Sequence, residues 1–420
     1  IGRELNDFAA KKKRLRVGFI GSGFIAEFHL KSMINVRNVD VTAVFGLDPE
    51  RCRRFSSLVT ELGLGDCTAY STLEDLLGAD DVDAVWLLTP NHTRLEVMKV
   101  IHKEILEGRS KVFSIACEKP LARTIGEARE MVRLAEEASL NHGYLENQVF
   151  CTPVLRGKEI IWRRAASTTG RPYLARAAEE HSGPHSPWFW QGDKQGGGVL
   201  SDMMCHSVEV ARHLLTEPGA DRKSLRVKEV NGSTANLKWV RKHYADKLIE
   251  QYGPSANYHE RPSEDFARGT VLLEDQDGNE VVIEATTSWA YVGAGLRIQL
   301  ELLGPEYSME FNSLNTGLKI FMSREVSGSE GHDLVEKQNA EQGLMPVLED
   351  EPGVYGYTDE NRHMVECFRK GETPLETFED GLAVVEILMG LYRSAEIGAT
   401  VKFPIEDLTN YVPPVARVNA

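Results

Sequence analysis

From residue 16 onward, short apolar runs alternate with stretches whose apolar positions recur every three to four residues. Residues 16–20, 41–45, 83–88 and 111–117 read as strands; residues 26–34, 50–62, 94–107 and 125–138 read as helices. Strands that are apolar throughout and alternate with helices predict βαβ units, with a parallel sheet covered on both faces. Past about residue 141 the rhythm changes to alternation of single apolar and polar positions. Residues 173–179, 269–274, 280–286 and 296–303 fit that pattern, and Asp277-Gly278-Asn279 joins two of them as a hairpin turn. Residues 222–268 are too polar to carry an assigned element, and two helical patterns, 359–370 and 379–396, close the chain. The prediction is an α/β dinucleotide-binding domain over 1–140, with 1–14 as a lead-in. An α+β domain over 141–358 comes next, built on an open, mainly antiparallel sheet, and closing helices occupy 359–420.

A chain of 420 residues exceeds what one hydrophobic core usually supports, in keeping with that division. The formal net charge of −15 argues against nucleic acid or an anionic membrane surface as the main partner. The basic run 11–14 is too short to reverse this. The six cysteines (52, 67, 117, 151, 205 and 367) show neither C-x-x-C pairs nor a disulfide framework. With no signal-like start and no apolar stretch of membrane-spanning length, the cytoplasm is the expected location.

Four motifs carry chemistry. The first, Gly21-Ser22-Gly23-Phe24-Ile25-Ala26, comes directly after a strand and opens a helix. There the first glycine allows a tight turn, the second lets backbone approach a pyrophosphate, and a small third residue packs helix on strand. Near the end of the second strand, Asp48 can hold the adenosine ribose hydroxyls or serve as a turn residue before Pro49. Alternatively Gly46 makes room for a 2′-phosphate, countered by Arg51 or Arg53. NAD is favoured, with NADP the alternative. The second motif, Thr89-Pro90-Asn91-His92, ends an apolar strand, where ligands of doubly wound sheets bind. The third, Glu118-Lys119-Pro120, places at another strand end a lysine able to donate to a hydroxyl and stabilise alkoxide charge; Glu118 can steer it or touch the nicotinamide.

The fourth is Gly196-Gly197-Gly198 with Asp202 and His206 after it. The glycine run suits a backbone passing close to a ligand. Asp202 and His206, four apart, share a helix face, and an imidazole is a suitable proton acceptor beside a carboxylate. Between a strand and these glycines lies a loop with His181, His185, Trp188 and Trp190. Indoles pack on sugar faces and histidines hydrogen-bond hydroxyls, so the loop is expected to line the pocket; the alternative is that it only packs the fold. No metal is expected there.

Taken together and in this order, G-x-G-x-x-A, T-P-N-H, E-K-P and G-G-G with D-x-x-x-H resemble the Gfo/Idh/MocA oxidoreductases. The resemblance extends over nearly the whole chain, including residues 266–311 and Glu379-Asp380-Gly381. It implies an N-terminal Rossmann domain, a C-terminal open sheet, and Lys119, Asp202 and His206 as the catalytic group acting on a sugar. Two departures stand out. The acid that ends the second strand in many relatives aligns with Gly46. Where many read G-Y, a basic residue and R-F, this chain reads Gly143-Tyr144-Leu145-Glu146-Asn147-Gln148, so Glu146, Asn147 and Gln148 are candidates for these contacts instead, Asn147 toward the cofactor, with Tyr144 a candidate substrate contact.

The resulting expectation is hydride transfer at a ring carbon of a sugar or glycoside, C3 being favoured. His206 would act as acid/base and Lys119 on the alkoxide. Two alternatives are an NAD-dependent redox glycosidase, some relatives being of that kind, and a non-catalytic cofactor-sensing regulator. A homodimer or homotetramer is expected from the exposed sheet face.

Overall fold

The computed structural model describes residues 14–323, 338, 342–348 and 350–417. The lead-in up to residue 13, and with it most of the basic run, lies outside the described residues; Arg14 pairs with Asp40 at 2.7 Å.

The chain forms two compact units, Ile1–Ala122 with Gly126–Phe150 and Gly356–Ala383, and Arg123–Ile125 with Cys151–Tyr355 and Val384–Ala420. The first holds strands β1 (Leu15–Ile20), β2 (Val39–Phe45), β3 (Thr68–Tyr70), β4 (Ala84–Leu87), β5 (Ser114–Glu118) and β6 (Asn141–Leu145). Helices α1 (Phe24–Ser32), α2 (Pro49–Glu61), α3 (Leu73–Leu77), α4 (Asn91–Leu106) and α5 (Ile125–Glu137) alternate with them. The sheet is parallel, in the order β3-β2-β1-β4-β5-β6, so the winding direction reverses between β1 and β4. Leu15, Val17, Phe19, Ala84 and Trp86 are fully buried, as strands covered on both faces require.

In the second unit α6 (Thr152–Ile160) precedes β7 (Leu174–Glu180) and α7 (Val199–Leu215). Next come β8 (Arg226–Ala235), α8 (Lys242–Tyr252), β9 (Phe266–Glu274), β10 (Glu280–Ser288), β11 (Arg297–Gly304), β12 (Tyr307–Asn312), β13 (Leu318–Met322) and β14 (Gly343–Val347). The chain then runs through α9 (Tyr357–Lys370) and α10 (Phe378–Ile397) to β15 (Val401–Lys402). Seven strands form one sheet, β12-β11-β7-β10-β9-β8-β15, in which only β7 and β10 pair in parallel. Every second residue of β11 is buried, among them Ile298, Leu300 and Leu302, so one face makes the core.

The units divide differently from the sequence expectation at residues 140 and 358. β6 completes the parallel sheet by pairing with β5. In the same unit, α9 delivers Met364, Val365 and Phe368 to the core built around Val17, Phe19 and Trp86. The stretch 222–268, too polar to carry an assigned element from sequence, contains β8 and α8. Only one residue of β8, Val230, is buried; its pairing with β9 rather than its own apolar pattern makes it a strand.

All 17 residues of α7 are buried, among them Ser201, Asp202, His206, Ser207, Glu209, Arg212 and His213. A helix enclosed on every side cannot leave its terminal N–H and C=O groups to water. At the start, Glu264 Oε1 accepts from the N–H of Gly198 (3.0 Å) and Leu200 (3.1 Å), and the Glu264 carbonyl accepts from Val199 (3.0 Å). The Tyr392 hydroxyl accepts from Ser201 N–H (3.1 Å) and donates to Glu264 Oε1 (2.6 Å). At the end, the carbonyls of His213, Leu214 and Leu215 accept from Lys158 Nζ, Trp162 Nε1 and Arg171 at 2.6, 2.9 and 2.8 Å. Both ends are satisfied by groups brought from elsewhere in the unit, side chains and the Glu264 carbonyl.

This arrangement corrects the reading of the glycine run as a ligand approach. A Cβ at Gly197 would lie 2.0 Å from the Tyr392 hydroxyl, and one at Gly198 2.4 Å from the Glu264 carbonyl. The glycines admit the capping groups.

In the first unit, Glu360 of α9 is fully buried and neither carboxyl oxygen has a hydrogen-bond partner among the described residues. Burial, reinforced by the charges of Glu118, Glu146 and Glu376, holds its pKa well above the usual carboxylate range.

These buried groups lead to two expected outcomes. Glu264→Ala strands the Leu200 N–H, leaves Gly198 N–H only the Tyr392 hydroxyl, and should cost about 1–3 kcal/mol in denaturant unfolding. For Glu360, a raised folded-state pKa means the native state binds the extra proton. Its contribution is complete below about pH 4.5 and is lost as pH rises through the folded-state pKa. The Tm advantage of Glu360→Gln over the parent should therefore grow from about pH 5 to about pH 8; a constant difference would contradict it.

Candidate active site

In the first unit the motif residues gather at the carboxyl ends of β1, β4, β5 and β6. Gly21, at φ +117°, makes the turn after β1, and a Cβ on it would lie 2.7 Å from the Leu88 carbonyl. Ser22 is buried beneath the turn, Phe24 is exposed and Ile25 half-buried. Gly23 is the N-cap of α1, no side chain caps the helix, and a Cβ there would meet nothing within 4 Å. That open cradle at a helix N-terminus fits a dinucleotide pyrophosphate. Thr89 Oγ1 is buried and has no hydrogen-bond partner among the described residues, a polar atom that a bound cofactor would satisfy. Asn91 and His92 lie in the first turn of α4, and Asn147 is buried directly after β6.

At the adenosine end, Asp48 takes the turn position that was one of its two expected roles. Asp48 Oδ1 caps α2, accepting from the N–H of Glu50 (3.0 Å) and Arg51 (3.1 Å). The bond from the Arg51 N–H leads the effects that lower its pKa. Gly46 does not open space on its Cβ side, because Ser22 Oγ (2.8 Å) and Cys52 Sγ (3.1 Å) already occupy it.

Glu118, Lys119 and Pro120 are held by a residue that sequence reasoning missed. Arg94, nearly fully buried, donates to the carbonyls of Thr89 (3.0 Å), Glu118 (2.6 Å) and Lys119 (3.1 Å), and to that of Pro120. One guanidinium thus ties the second and third motifs together across the strand ends. Its only signal in the sequence is a cation buried in the first turn of a helix. The Lys119–Pro120 peptide is cis. Glu118 takes His29 Nε2 at 2.9 Å on one oxygen and the Lys119 N–H at 2.9 Å on the other. Asn361 stands on the other side of the ring, its Nδ2 2.9 Å from His29 Nδ1. Burial alone would raise the Glu118 pKa, yet the His29 bond and the charges of His29, Lys119 and Arg94 bring it below the ordinary value. Lys119 itself is half-buried.

In the second unit, Asp202 and His206 share α7 and are almost fully buried. Glu179, near the end of β7 and not anticipated from sequence, brings Oε2 to 3.9 Å from His206 Nε2. Asp202 Oδ2 accepts from the indole Nε1–H of Trp289 at 3.1 Å. His181 extends β7, its N–H bonded to the Ser288 carbonyl at 3.0 Å, and its Nδ1 accepts from Gly183 N–H at 2.9 Å.

One loop residue departs from the expected pocket lining. Trp190 is 2% exposed and packs against Trp239, Tyr258 and Trp289 with ring centroids 4.9–5.3 Å apart. No face of its indole remains for a sugar, so it serves as core. Trp188 is half-buried and stacks on Phe189 at 3.8 Å, and His185 is exposed. Tyr144 is fully buried in the first unit, where a Cβ on Gly381 would come within 3.1 Å of its ring. It packs as a core side chain instead of presenting a surface to a substrate.

Among the described residues, no helix is long and apolar enough to cross a membrane. The sequence matches "Oxidoreductase family, NAD-binding Rossmann fold" over residues 15–143 and "GFO/IDH/MocA C-terminal domain" over residues 163–310. It is 30% identical over 213 residues to a 1,5-anhydro-D-fructose reductase of Ensifer adhaerens, covering 49% of this chain and 58% of that protein. It is 28% identical over 223 residues to a levoglucosan dehydrogenase of Pseudarthrobacter phenanthrenivorans, covering 49% and 52%. The matched stretch thus spans little more than half the length of these relatives. The solved structure of GenD2 from gentamicin A biosynthesis, in complex with NAD, superposes with a TM-score of 0.72 at 25% identity, over 93% of this chain and 97% of that one. With both halves of the pattern matched in order, this chain belongs to the Gfo/Idh/MocA oxidoreductase family.

Proposed function

We propose that the protein is an NAD-dependent oxidoreductase acting on a ring hydroxyl of a sugar or related polyol, with His206 as the proton acceptor. The observation that carries this reading is the buried grouping on α7, where His206 stands one turn from Asp202 and 3.9 Å from Glu179. A buried imidazole flanked by carboxylates accepts a proton at reduced cost, because the imidazolium it becomes is countered on the spot. The relatives named for acting on 1,5-anhydro-D-fructose and levoglucosan support a cyclic sugar as the substrate class.

Bound NAD would supply the hydride acceptor at its nicotinamide ring. The turn Gly21-Ser22-Gly23 with the N-terminus of α1 would hold the pyrophosphate, with Thr89, Asn91, His92 and Asn147 along the same sheet edge. As the C–H bond of the ring carbon breaks, His206 takes the hydroxyl proton and the carbon–oxygen bond becomes a carbonyl. Lys119 donates to that oxygen and stabilises the negative charge passing through it, a charge-assisted bond that gains strength away from water. Asp202 receives a hydroxyl of the substrate and sets its orientation. The second unit's sheet exposes a charged ladder, with Arg176 paired to Glu284 (2.6 Å) and Glu301 (3.1 Å). We take this face as the contact of a homo-oligomer, and a monomer in light scattering would refute it.

His206→Ala should lower turnover by about 10²–10⁴ while leaving NAD affinity nearly unchanged. Nicotinamide absorbance with levoglucosan, inositols and anhydro-sugars as test substrates is the measurement, and a variant with full turnover would remove His206 from the chemistry. Gly21→Ala forces a Cβ against the Leu88 carbonyl at a backbone angle alanine avoids, a strain of roughly 1–3 kcal/mol. It should weaken NAD binding in a fluorescence titration while α7 and its side chains keep their place.

A further inference from the structure

The aromatic cluster beside α7 does not present a face to a ligand, and one of its members instead turns a polar atom toward the proposed site. Trp289 comes immediately after β10 and is fully buried. Its indole Nε1–H donates to Asp202 Oδ2 at 3.1 Å. Its backbone is pinned on both sides. The N–H of Trp289 donates to the Asp265 carbonyl at 2.8 Å, and its carbonyl accepts the Trp239 indole N–H at 2.8 Å.

Asp265 is itself fully buried and anchors the segment that carries Trp239. Its carboxylate accepts from the N–H groups of Leu237 (2.6 Å), Lys238 (2.7 Å) and Trp239 (2.8 Å). The Trp289 ring packs on Trp190 at 5.3 Å, and Trp190 packs on Trp239 at 4.9 Å. An indole held by its backbone, its neighbours and its own hydrogen bond has little rotational freedom left.

We infer that Trp289 is a positioning residue, which fixes the carboxylate of Asp202 for the reaction through its indole N–H. This rests on the proposed role of Asp202 in binding the substrate. An indole N–H suits the task because it is a donor only and does not ionise in water. It satisfies one oxygen of a buried carboxylate without competing for the proton that the reaction moves. It also sets the carboxylate plane, and therefore the direction from which a hydroxyl must approach Oδ1. A serine or lysine donor would bring either an acceptor or a second charge to the same place. Trp190, expected from sequence to stack on a sugar, instead packs against this support for one carboxylate.

The test is a double-mutant cycle on the full chain with NAD, using levoglucosan and myo-inositol as probe substrates. Trp289→Phe keeps most of the ring and removes the donor. It should lower kcat about tenfold or more, with KM for NAD unchanged. In an Asp202→Ala background the same substitution should change kcat by less than about twofold, because its effect passes through the missing carboxylate. Trp190→Phe is the control, since it alters a neighbouring ring and leaves both partners of the Trp289–Asp202 bond in place. It trims the same cluster and should keep kcat within about twofold of the parent.

Losses that multiply in the double variant, or an equal loss in Trp190→Phe, would overturn the inference and leave Trp289 as packing alone. Full turnover in Asp202→Ala would instead overturn the reading of the site. The pairing is then judged by the same cycle in denaturant unfolding, which needs no substrate. Non-additive midpoints there support the bond, and additive midpoints remove it. Should Trp289→Phe fail to fold, Trp239→Phe, which frees the Trp289 carbonyl, takes its place in the cycle. It should give a smaller loss of kcat that again disappears with Asp202→Ala.

Discussion

The second unit is organised by a helix that is buried along its whole length yet carries an aspartate, two histidines, a glutamate and an arginine. Burying such a helix is tolerable only if its end groups and side chains find partners inside the protein. The four N–H groups at its start are taken by Glu264 and Tyr392, and three carbonyls at its end by Lys158, Trp162 and Arg171. Because the caps come from distant segments, the helix is fixed in position and rotation. Asp202 and His206 inherit that precision, which the proposed chemistry at a single hydroxyl demands.

The first unit reaches the same end differently. Its strands finish at one edge, and the motif residues occupy the turns that leave them. Arg94 then directs every hydrogen bond it makes among the described partners to main-chain carbonyls of two of these turns. A guanidinium is suited to this because its donors fan out in one plane and its charge persists in a buried place. The Glu118–His29–Asn361 chain adds a second tie, joined by Trp86 Nε1, which donates to Asn361 Oδ1 at 2.8 Å. The backbone on both sides of Lys119 is immobilised by these neighbours.

The buried carboxylates show how much depends on neighbours. Glu118 and Glu360 are both enclosed in the first unit, and burial pushes the pKa of each upward. Glu118 has an imidazole, a lysine and an arginine beside it, and its pKa is brought below the ordinary value. Glu360 faces the charges of Glu118, Glu146 and Glu376, and its pKa is held well above it. Two residues of one type, in one unit, differ in proton affinity for reasons that no local pattern contains.

Periodicity alone determined the parallel sheet, the antiparallel tendency of the second half and most helices, since each depends on residues within one turn or one strand. The Gly21–Gly23 turn and the shared face of Asp202 and His206 were legible for the same reason: backbone angles and helix spacing are local properties. The strand β8, whose residues are mostly half-exposed, could be assigned only once β9 was present to pair with it. The partners of Gly197 and Gly198 lie at Glu264 and Tyr392, far away in the chain, so the sequence could not tell a ligand cradle from a capping niche. Likewise four tryptophans, 188, 190, 239 and 289, carry the same indole. Only the tertiary structure decided that Trp190 is core and that Trp289 turns its N–H to a carboxylate, because a buried polar group takes its role from whatever the fold places against it.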